Sequence, residues 1–563
     1  MILPRTRLVV RVHVALVALL VCTLAQARQA PASAAVAAAH PLAIAAGEEI
    51  LAAGGNAFDA AVAVSATLAV VEPYASGLGG GAFWLLHVAK GERNVFVDAR
   101  EVAPGAARPD MYLDAAGKVV PGLSLNGPLA AGIPGEPAGL VHIAKRYGRL
   151  PLARSLAPAI RIAEEGVPVH ARMQLGLRFR RSVAKDSPAF EAVFYPGGEV
   201  PAAGSRILQP DLAATLRRLA EQGFDGFYRG AVAERLVAGV REAGGIWTLD
   251  DLAGYRVVER EPVRGTYRGA TIISAPLPSA GGIGLVNMLN IASGFDLPAL
   301  DGATRKHVLI EAMRRAYRDR SQYLGDPAFS DPPVEQLLHL FYAAGQRASI
   351  RLDRATPSEA LPSMLPDRSE GSDTTHFSVL DRQGNRVAGT LSINTWYGSG
   401  FMAPGTGVLL NNEMDDFTVK PGVPNTFELI GAHANAIAPG KRMLSSMSPT
   451  FLESDRGVAI LGTPGGSRII TMVLLASLEW IDGASAAEMV ALKRFHHQFF
   501  PDVVSYEEGA LTAEEIKALE ERGHRLEVSR RTFGNMNVVT WDYATGKVEA
   551  AMDPRSLAAG EVY

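Results

Sequence analysis

Asp373-Thr374-Thr375-His376-Phe377-Ser378-Val379 closes a long polar, proline-spotted run and opens a strand-like stretch. In one reading the hydroxyl at this junction is an ordinary strand start. In the other the chain is cut before it, and a threonine at a new N-terminus carries nucleophile and base, its freed α-amine, on one residue. Residues 375–380 alternate with period two. The turn residues Asp381-Arg382-Gln383-Gly384-Asn385 and a returning strand, 386–393, follow, so the segment reads as a β-hairpin. Counting outward from Gln383-Gly384, Thr374 faces residues 392–394. Ser392 and Asn394 share one face of the return strand because side chains alternate. The hairpin therefore sets a hydroxyl and an amide beside Thr374. His376 shares the face of Thr374, but a freed α-amine would sit closer to the hydroxyl, which leaves His376 a structural place.

Other residues carry chemistry less specifically. Arg100-Glu101 ends a short strand, either as a surface ion pair of little consequence or as a guanidinium fork for a substrate carboxylate. Gly465 and Gly466, inside Thr463-Pro464-Gly465-Gly466-Ser467-Arg468, precede a long apolar helix, 469–481. Two glycines at a helix N-terminus present free N–H groups that suit a developing oxyanion, although an ordinary glycine turn has the same pattern. Residues 408–417 end a strand in a polar cluster, and 420–432 form a surface loop or lid. The glycines of 76–82 follow a helix and precede a strand, the reverse of a phosphate cradle, so close backbone packing explains them better. His496 and His497 are adjacent and lack a carboxylate at helical metal spacing. No metal or cofactor is expected.

These groups need a scaffold. Asn56 is placed to cap a buried helix over 57–71, which stops at Glu72-Pro73. Strands are expected at 83–88 and 94–99. Residues 151–340 read as mainly helical (156–165, 212–221, 232–243, 283–292, 305–323) with a strand at 267–274. Arg314, Arg315, Arg318 and Arg320 are expected on a solvated or salt-bridged face. From 330 the composition shifts, and 351–373 reads as a mobile linker, a good place for a chain to be cut. Strands follow at 450–452 and 458–462.

With 563 residues, 48% hydrophobic and 20% charged, the chain has an ordinary globular composition. A net charge of −3 offers no basic field for nucleic acid. Arg5, Arg7 and Arg11, the apolar run 12–25 and Ala25-Gln26-Ala27 read as a cleaved export signal, too short to span a membrane. Its removal would take the net charge from −3 to about −6. The single cysteine, Cys22, lies within it, and lipid attachment there is disfavoured by bulky Val21. The mature protein, periplasmic or secreted, would then have neither disulfides nor a cysteine nucleophile.

Blocks in a fixed order from about residue 38 onward resemble the γ-glutamyltransferases (glutathione hydrolases), members of the N-terminal-nucleophile hydrolases. They are Gly54-Gly55-Asn56-Ala57-Phe58-Asp59-Ala60-Ala61, Val71-Glu72-Pro73 with Ser76-Gly77-Leu78-Gly79-Gly80-Gly81, Arg100-Glu101-Val102-Ala103-Pro104, the stretch at Thr374, Leu410-Asn411-Asn412-Glu413-Met414-Asp415-Asp416-Phe417, Leu444-Ser445-Ser446-Met447-Ser448-Pro449-Thr450 and Pro464-Gly465-Gly466-Ser467-Arg468-Ile469-Ile470.

The resemblance implies an α+β fold, a four-layer αββα sandwich. It implies a self-made cut between Asp373 and Thr374, giving a large subunit from 28 to 373 and a small one from 374 to 563. Thr374 would form a γ-glutamyl ester from glutathione or a related compound and pass it to water or to an amino acid or peptide. By the same resemblance Arg100, Ser445 and Ser446 hold the substrate α-carboxylate, Asn394, Glu413 and Asp416 hold its amino end, Gly465 and Gly466 form the oxyanion hole, and Ser392 replaces a threonine that assists Thr374. Departures are Phe377 for a common tyrosine, the bulkier Trp396-Tyr397, and Phe427 in the lid loop where bacterial relatives often have tyrosine. Rival readings are a cephalosporin or glutaryl acylase, a non-catalytic exported γ-glutamyl-binding relative, or a structural export protein.

Overall fold

The computed structural model describes residues 28–361, 374–529 and 533–556. The export signal with Cys22, and Asp373, lie outside them. The first sheet is built from β1 (Ala35–Ala38), β2 (Gly81–Val88), β3 (Arg93–Ala99), β4 (Val258–Arg260), and the hairpin β7 (Thr375–Leu380) and β8 (Arg386–Ser392), in the order β1-β7-β8-β2-β3-β4. The second contains β5 (Val263–Tyr267), β6 (Ala270–Ser274), β9 (Thr450–Ser454), β10 (Gly457–Gly462), β11 (Asn537–Asp542) and β12 (Val548–Met552), in the order β12-β11-β10-β9-β6-β5. Pairing within both is antiparallel.

Alternation along β2 separates two cores. Ala82, Trp84 and Leu86 pack with one set of helices, while Phe83 and Leu85 pack into the core shared with the second sheet. Helices α1 (Pro41–Ala52) and α2 (Ala57–Val71), with α3 (Leu152–Glu165) and α4 (Pro210–Gln222) outside them, cover the first sheet. Helices α5 (Gly281–Ala292), α6 (Gly302–Tyr323) and α7 (Ile469–Ile481) cover the second. The layers are α, β, β, α, as the resemblance implies. Helix α2 is buried along its whole length, as its all-round apolar sequence requires. Its start is fixed by Asn56, whose side-chain oxygen accepts from the N–H of Phe58 and Asp59 while the Asp59 carboxylate accepts from the Asn56 N–H.

Several expectations need correction. The strand expected at 267–274 is a hairpin, β5 to β6, turning at Arg268-Gly269 with both φ positive. Helices at Ala171–Ala184 and Pro188–Phe194 were not foreseen. Of the solvated or salt-bridged face expected for the arginines, Arg314, Arg315 and Arg320 are buried, not solvated. The salt-bridged half holds for Arg318, which pairs with Asp319, and for Arg314 and Arg315, which pair with buried Glu311. That network docks residues 351–361 instead of leaving them mobile. His307 Nε2 hydrogen-bonds to the Arg351 carbonyl at 2.8 Å, the Thr356 N–H donates to Glu311 Oε1 at 3.0 Å, and the Ser358 N–H donates to Asp502 Oδ2 at 2.7 Å. The polar residues that mimic a linker in the sequence are partners of buried charge.

Residues before and after position 374 interleave. Strands β7 and β8 lie between β1 and β2, and β9 pairs with β6. Among the described residues no helix is long and apolar enough to cross a membrane.

Candidate active site

Thr374 precedes β7, and the hairpin register fixes what it faces. Leu391 pairs with Thr375, so the next rung brings Thr374 to Ser392, with the two hydroxyl oxygens 3.5 Å apart. Side-chain alternation decides the direction. The Thr375 hydroxyl donates to Glu72 Oε2 at 2.7 Å on the helix side. Ser378 reaches the opposite side, donating to the carbonyls of Ile460 and Asn537 in the second sheet. Thr374 shares the face of Ser378 and points toward the end of the space between the sheets.

The glycine-rich segment explains why the approach is possible. A Cβ on Gly80 would overlap the Ser392 carbonyl oxygen, and one on Gly79 that of Leu409. The loop lies directly against the backbone that carries Ser392, so the packing reading of these glycines holds.

Thr374 lines a small cavity together with Arg100, Ser392, Asn394, Glu413, Asp416, Ser445, Ser446 and Gly466. Gly465 is not on that wall. It lies behind, and a Cβ there would meet Met472. With φ of +138° and +57°, Gly465 and Gly466 hold a turn that side chains resist, immediately before α7. Asn394, at φ +75°, donates its N–H to Ser392 Oγ at 2.8 Å and its amide to the Asn412 carbonyl at 2.9 Å. Asn411 holds the acidic turn, accepting from the Glu413 N–H at 3.0 Å and donating to the Gly79 carbonyl at 2.7 Å. Ser445 Oγ accepts from the Met447 N–H at 3.1 Å, and Ser446 Oγ is buried with no hydrogen-bond partner among the described residues.

Charge is concentrated at one end. Arg100 is buried, not a surface residue, and its guanidinium meets Glu413 at 2.8 Å and Asp416 at 2.6 Å. The cation and anions expected to take opposite ends of a substrate hold one another here. Burial works against the Arg100 charge, but Glu413, Glu101 and Asp416 keep it above the ordinary arginine range. Burial pushes the Glu413 carboxyl up to about 7, against the pull of Arg100. Buried Glu101 is raised well above the carboxylate range by desolvation and by Glu413.

The loop 420–432 covers the cavity. Phe427 and Leu429 line it, with the Phe427 ring against Gly466. The loop is tied down by the Thr426 N–H donating to Asp415 at 2.9 Å and by Gln498 donating to the Phe427 carbonyl at 3.0 Å. Sequence reasoning did not find Arg320, Leu429, Met447, Ser467 and Ile469 on this wall. The cluster of arginines on α6 hid Arg320 among helix-face charges. Glu72 was also missed as the prop of Thr375, although it ends α2 next to a proline.

The histidines have structural partners. His376 contacts Thr390 at 2.8 Å and Ser378 at 3.2 Å, and burial lowers its pKa to about 3, so it is neutral. His496 contacts Thr471 and Gln498, each at 2.8 Å, and His497 contacts Asp502 at 3.0 Å. Among the described residues His307, Glu311 and His524 bring ligand-type atoms within 4.8 Å of one another. The Glu311 carboxylate there is already held by Arg314 and Arg315.

A threonine heading an inner strand of a two-sheet sandwich, facing a glycine turn at a helix start, defines the class of N-terminal-nucleophile hydrolases. The structure of cephalosporin acylase from Bacillus halodurans superimposes with a TM-score of 0.83 at 31% identity, covering 94% of this chain and 95% of that one. The family model for gamma-glutamyltranspeptidase matches residues 43–563. The glutathione hydrolase proenzyme of Pseudomonas sp. (strain A14) is 45% identical over 485 residues, 85% of this chain and 84% of that protein. That of Escherichia coli (strain K12) is 41% identical over 517 residues, 91% and 88% respectively. The chain belongs to the gamma-glutamyltranspeptidase family.

Proposed function

We propose that the chain cuts itself between Asp373 and Thr374 and then acts as a γ-glutamyltransferase and glutathione hydrolase. One observation carries the reading: a strand-head threonine, paired to a second hydroxyl at 3.5 Å, opens on a cavity that also contains a buried Arg-Glu-Asp set. In the first step the Thr374 hydroxyl attacks the Asp373 carbonyl carbon. The peptide C–N bond breaks as an ester forms, freeing the Thr374 α-amine, and water hydrolyses the ester, releasing the Asp373 carboxylate and restoring the Thr374 hydroxyl. The interleaved strands keep the two subunits, 28–373 and 374–563, together after the cut.

In the mature enzyme the α-amine takes the proton from Thr374 Oγ1 as the oxygen attacks the substrate's γ-carbonyl. The backbone N–H groups of the Gly465-Gly466 turn, with Gly466 on the cavity wall and Gly465 behind it, stabilise the oxyanion. The α-amine returns the proton to the departing amine, leaving a γ-glutamyl ester on Thr374. Water or an acceptor amine then attacks the ester by the same proton route. Ser392 hydrogen-bonds the reacting hydroxyl. The substrate's amino-acid head enters between the paired charges, its carboxylate toward Arg100, Ser445 and Ser446, its ammonium toward Asn394, Glu413 and Asp416. Exchange of one set of ion pairs for another limits the desolvation cost of binding a zwitterion. Phe427 covers the site without a hydroxyl to hydrogen-bond. The protein works outside the cytoplasm after signal removal, and cell fractionation tests that placement.

Likeness to a cephalosporin acylase makes glutaryl transfer the competing reading. Glu413 and Asp416 favour a substrate with an ammonium, which a glutaryl group lacks. Release of p-nitroaniline from γ-glutamyl-p-nitroanilide, accelerated by glycylglycine, is expected, with little from glutaryl-p-nitroanilide. The reverse preference, from fully cut protein, would establish the acylase.

A further inference from the structure

Helix α6 reaches the active site at three levels. The Tyr317 hydroxyl donates to the Ser467 carbonyl, beside Gly466. One turn on, Arg320 lines the cavity. Next to it the Ser321 carbonyl accepts from the Ala432 N–H at 3.0 Å, at the end of the covering loop. Tyr317 and Arg320 stand three residues apart and so share a helix face.

Arg320 differs from Arg100 in one decisive respect. Its side chain is only 7% exposed, yet it makes no hydrogen bond or ion pair among the described residues, and its Nε is fully buried. Arg100 is occupied by two carboxylates. With Glu413 and Asp416 ionised, the Arg100 cluster carries a net negative charge, which would repel an incoming carboxylate. Burial and the nearby Arg100 weaken the Arg320 charge, and Tyr317 and Asp416 support it. A buried guanidinium left unpaired is unfavourable unless a ligand anion completes it. A second orphan donor, Ser446 Oγ, stands on the same cavity wall.

We propose that Arg320 is a substrate-binding residue that takes the α-carboxylate of the amino-acid head jointly with the Ser446 hydroxyl, in addition to Arg100. A planar carboxylate matches the guanidinium fork, and one cation beyond the Arg100 cluster brings the pocket's formal charge to zero, as a zwitterionic head requires. The proposal rests on the γ-glutamyl reading of the site.

The test compares γ-glutamyl-p-nitroanilide with 4-aminobutyryl-p-nitroanilide, which lacks only the α-carboxylate, on the full processed protein. Arg320→Gln should lower kcat/KM on the first by about 10- to 100-fold, mainly through KM, the span expected for one charged hydrogen bond. On the second the change should stay within about threefold. Arg320→Lys, which keeps the charge without the fork, should fall between and serves as the readout if the Gln variant is not processed. An equal loss on both substrates would assign Arg320 a structural role and overturn the proposal, as would no loss on the first. A wild-type protein inert toward γ-glutamyl-p-nitroanilide would instead remove the underlying reading, and the proposal with it.

Discussion

Ser392→Ala probes the geometry around the nucleophile with a change of a single oxygen. That oxygen lies 3.5 Å from Thr374 Oγ1 and accepts the Asn394 N–H at 2.8 Å, both within a buried site. Losing the acceptor of a buried N–H costs about 1–3 kcal/mol, and the hydroxyl pair itself contributes about 0.5–1.5 kcal/mol. Asn394 already holds a left-handed φ of +75°, so its orphaned N–H has reason to move, carrying its side chain off the cavity wall. If about 1.4–3 kcal/mol of this falls on the transition state, kcat/KM drops about 10- to 150-fold. The melting temperature should move little, because a few kcal/mol is spread over a large unfolding entropy. Ser392→Thr keeps the oxygen and should stay within about threefold of wild type. The assay is p-nitroaniline release, read beside the extent of self-cutting on a denaturing gel. Wild-type kinetics for Ser392→Ala, or an equal loss for Ser392→Thr, would refute the reasoning.

Gly80→Ala should leave the chain unprocessed or unfolded, since the new Cβ meets the Ser392 carbonyl, backbone that cannot step aside; normal cutting on a gel would contradict this. Burial lowers the pKa of His40, His376, His496 and His524 to about 3. Each is neutral when folded and protonates near 6.5 when unfolded, so its stability contribution is full above that pH and falls by about 1.4 kcal/mol per pH unit below it. Melting temperature should therefore drop steeply from pH 6.5 to 4.5, and a flat profile would count against buried neutral histidines. Glu413, pushed up to about 7 by burial, must be ionised to hold an ammonium, so KM should rise as pH falls through 7. Glu413→Gln should remove that limb, and an unchanged KM profile would place the titration elsewhere.

Local signals in the sequence were reliable where local physics decides. The Asn56 cap and the apolar run of α2 fixed that helix to the residue, and turn chemistry at Asp381–Asn385 fixed the register that brings Ser392 to Thr374. Non-local charge was not legible. For Arg100 the surface ion pair and the substrate-binding fork stayed open as readings, because two adjacent opposite charges look alike on a surface and in a core. Its partners come from Glu413 and Asp416, more than three hundred positions away. The burial of the α6 arginines, read as a solvated or salt-bridged face, was hidden for the same reason, and the docked segment 351–361 looked mobile because its buried partners are distant in sequence. Spacing brought Ser392 and Asn394 to Thr374, the roles of the other residues around the cavity came through the resemblance, Gly465 stands behind the wall rather than on it, and Arg320 was found only in three dimensions.

The central claim is that Thr374 makes its own N-terminus and is then the nucleophile. Intact-mass measurement of purified wild-type and Thr374→Ala protein tests it most directly. Wild type should give two chains, the smaller beginning at Thr374 and gaining one γ-glutamyl group when trapped during turnover. Thr374→Ala should give a single uncut chain with no adduct. A Thr374→Ala protein that still splits before position 374, or a wild-type adduct on any other residue, would contradict the account.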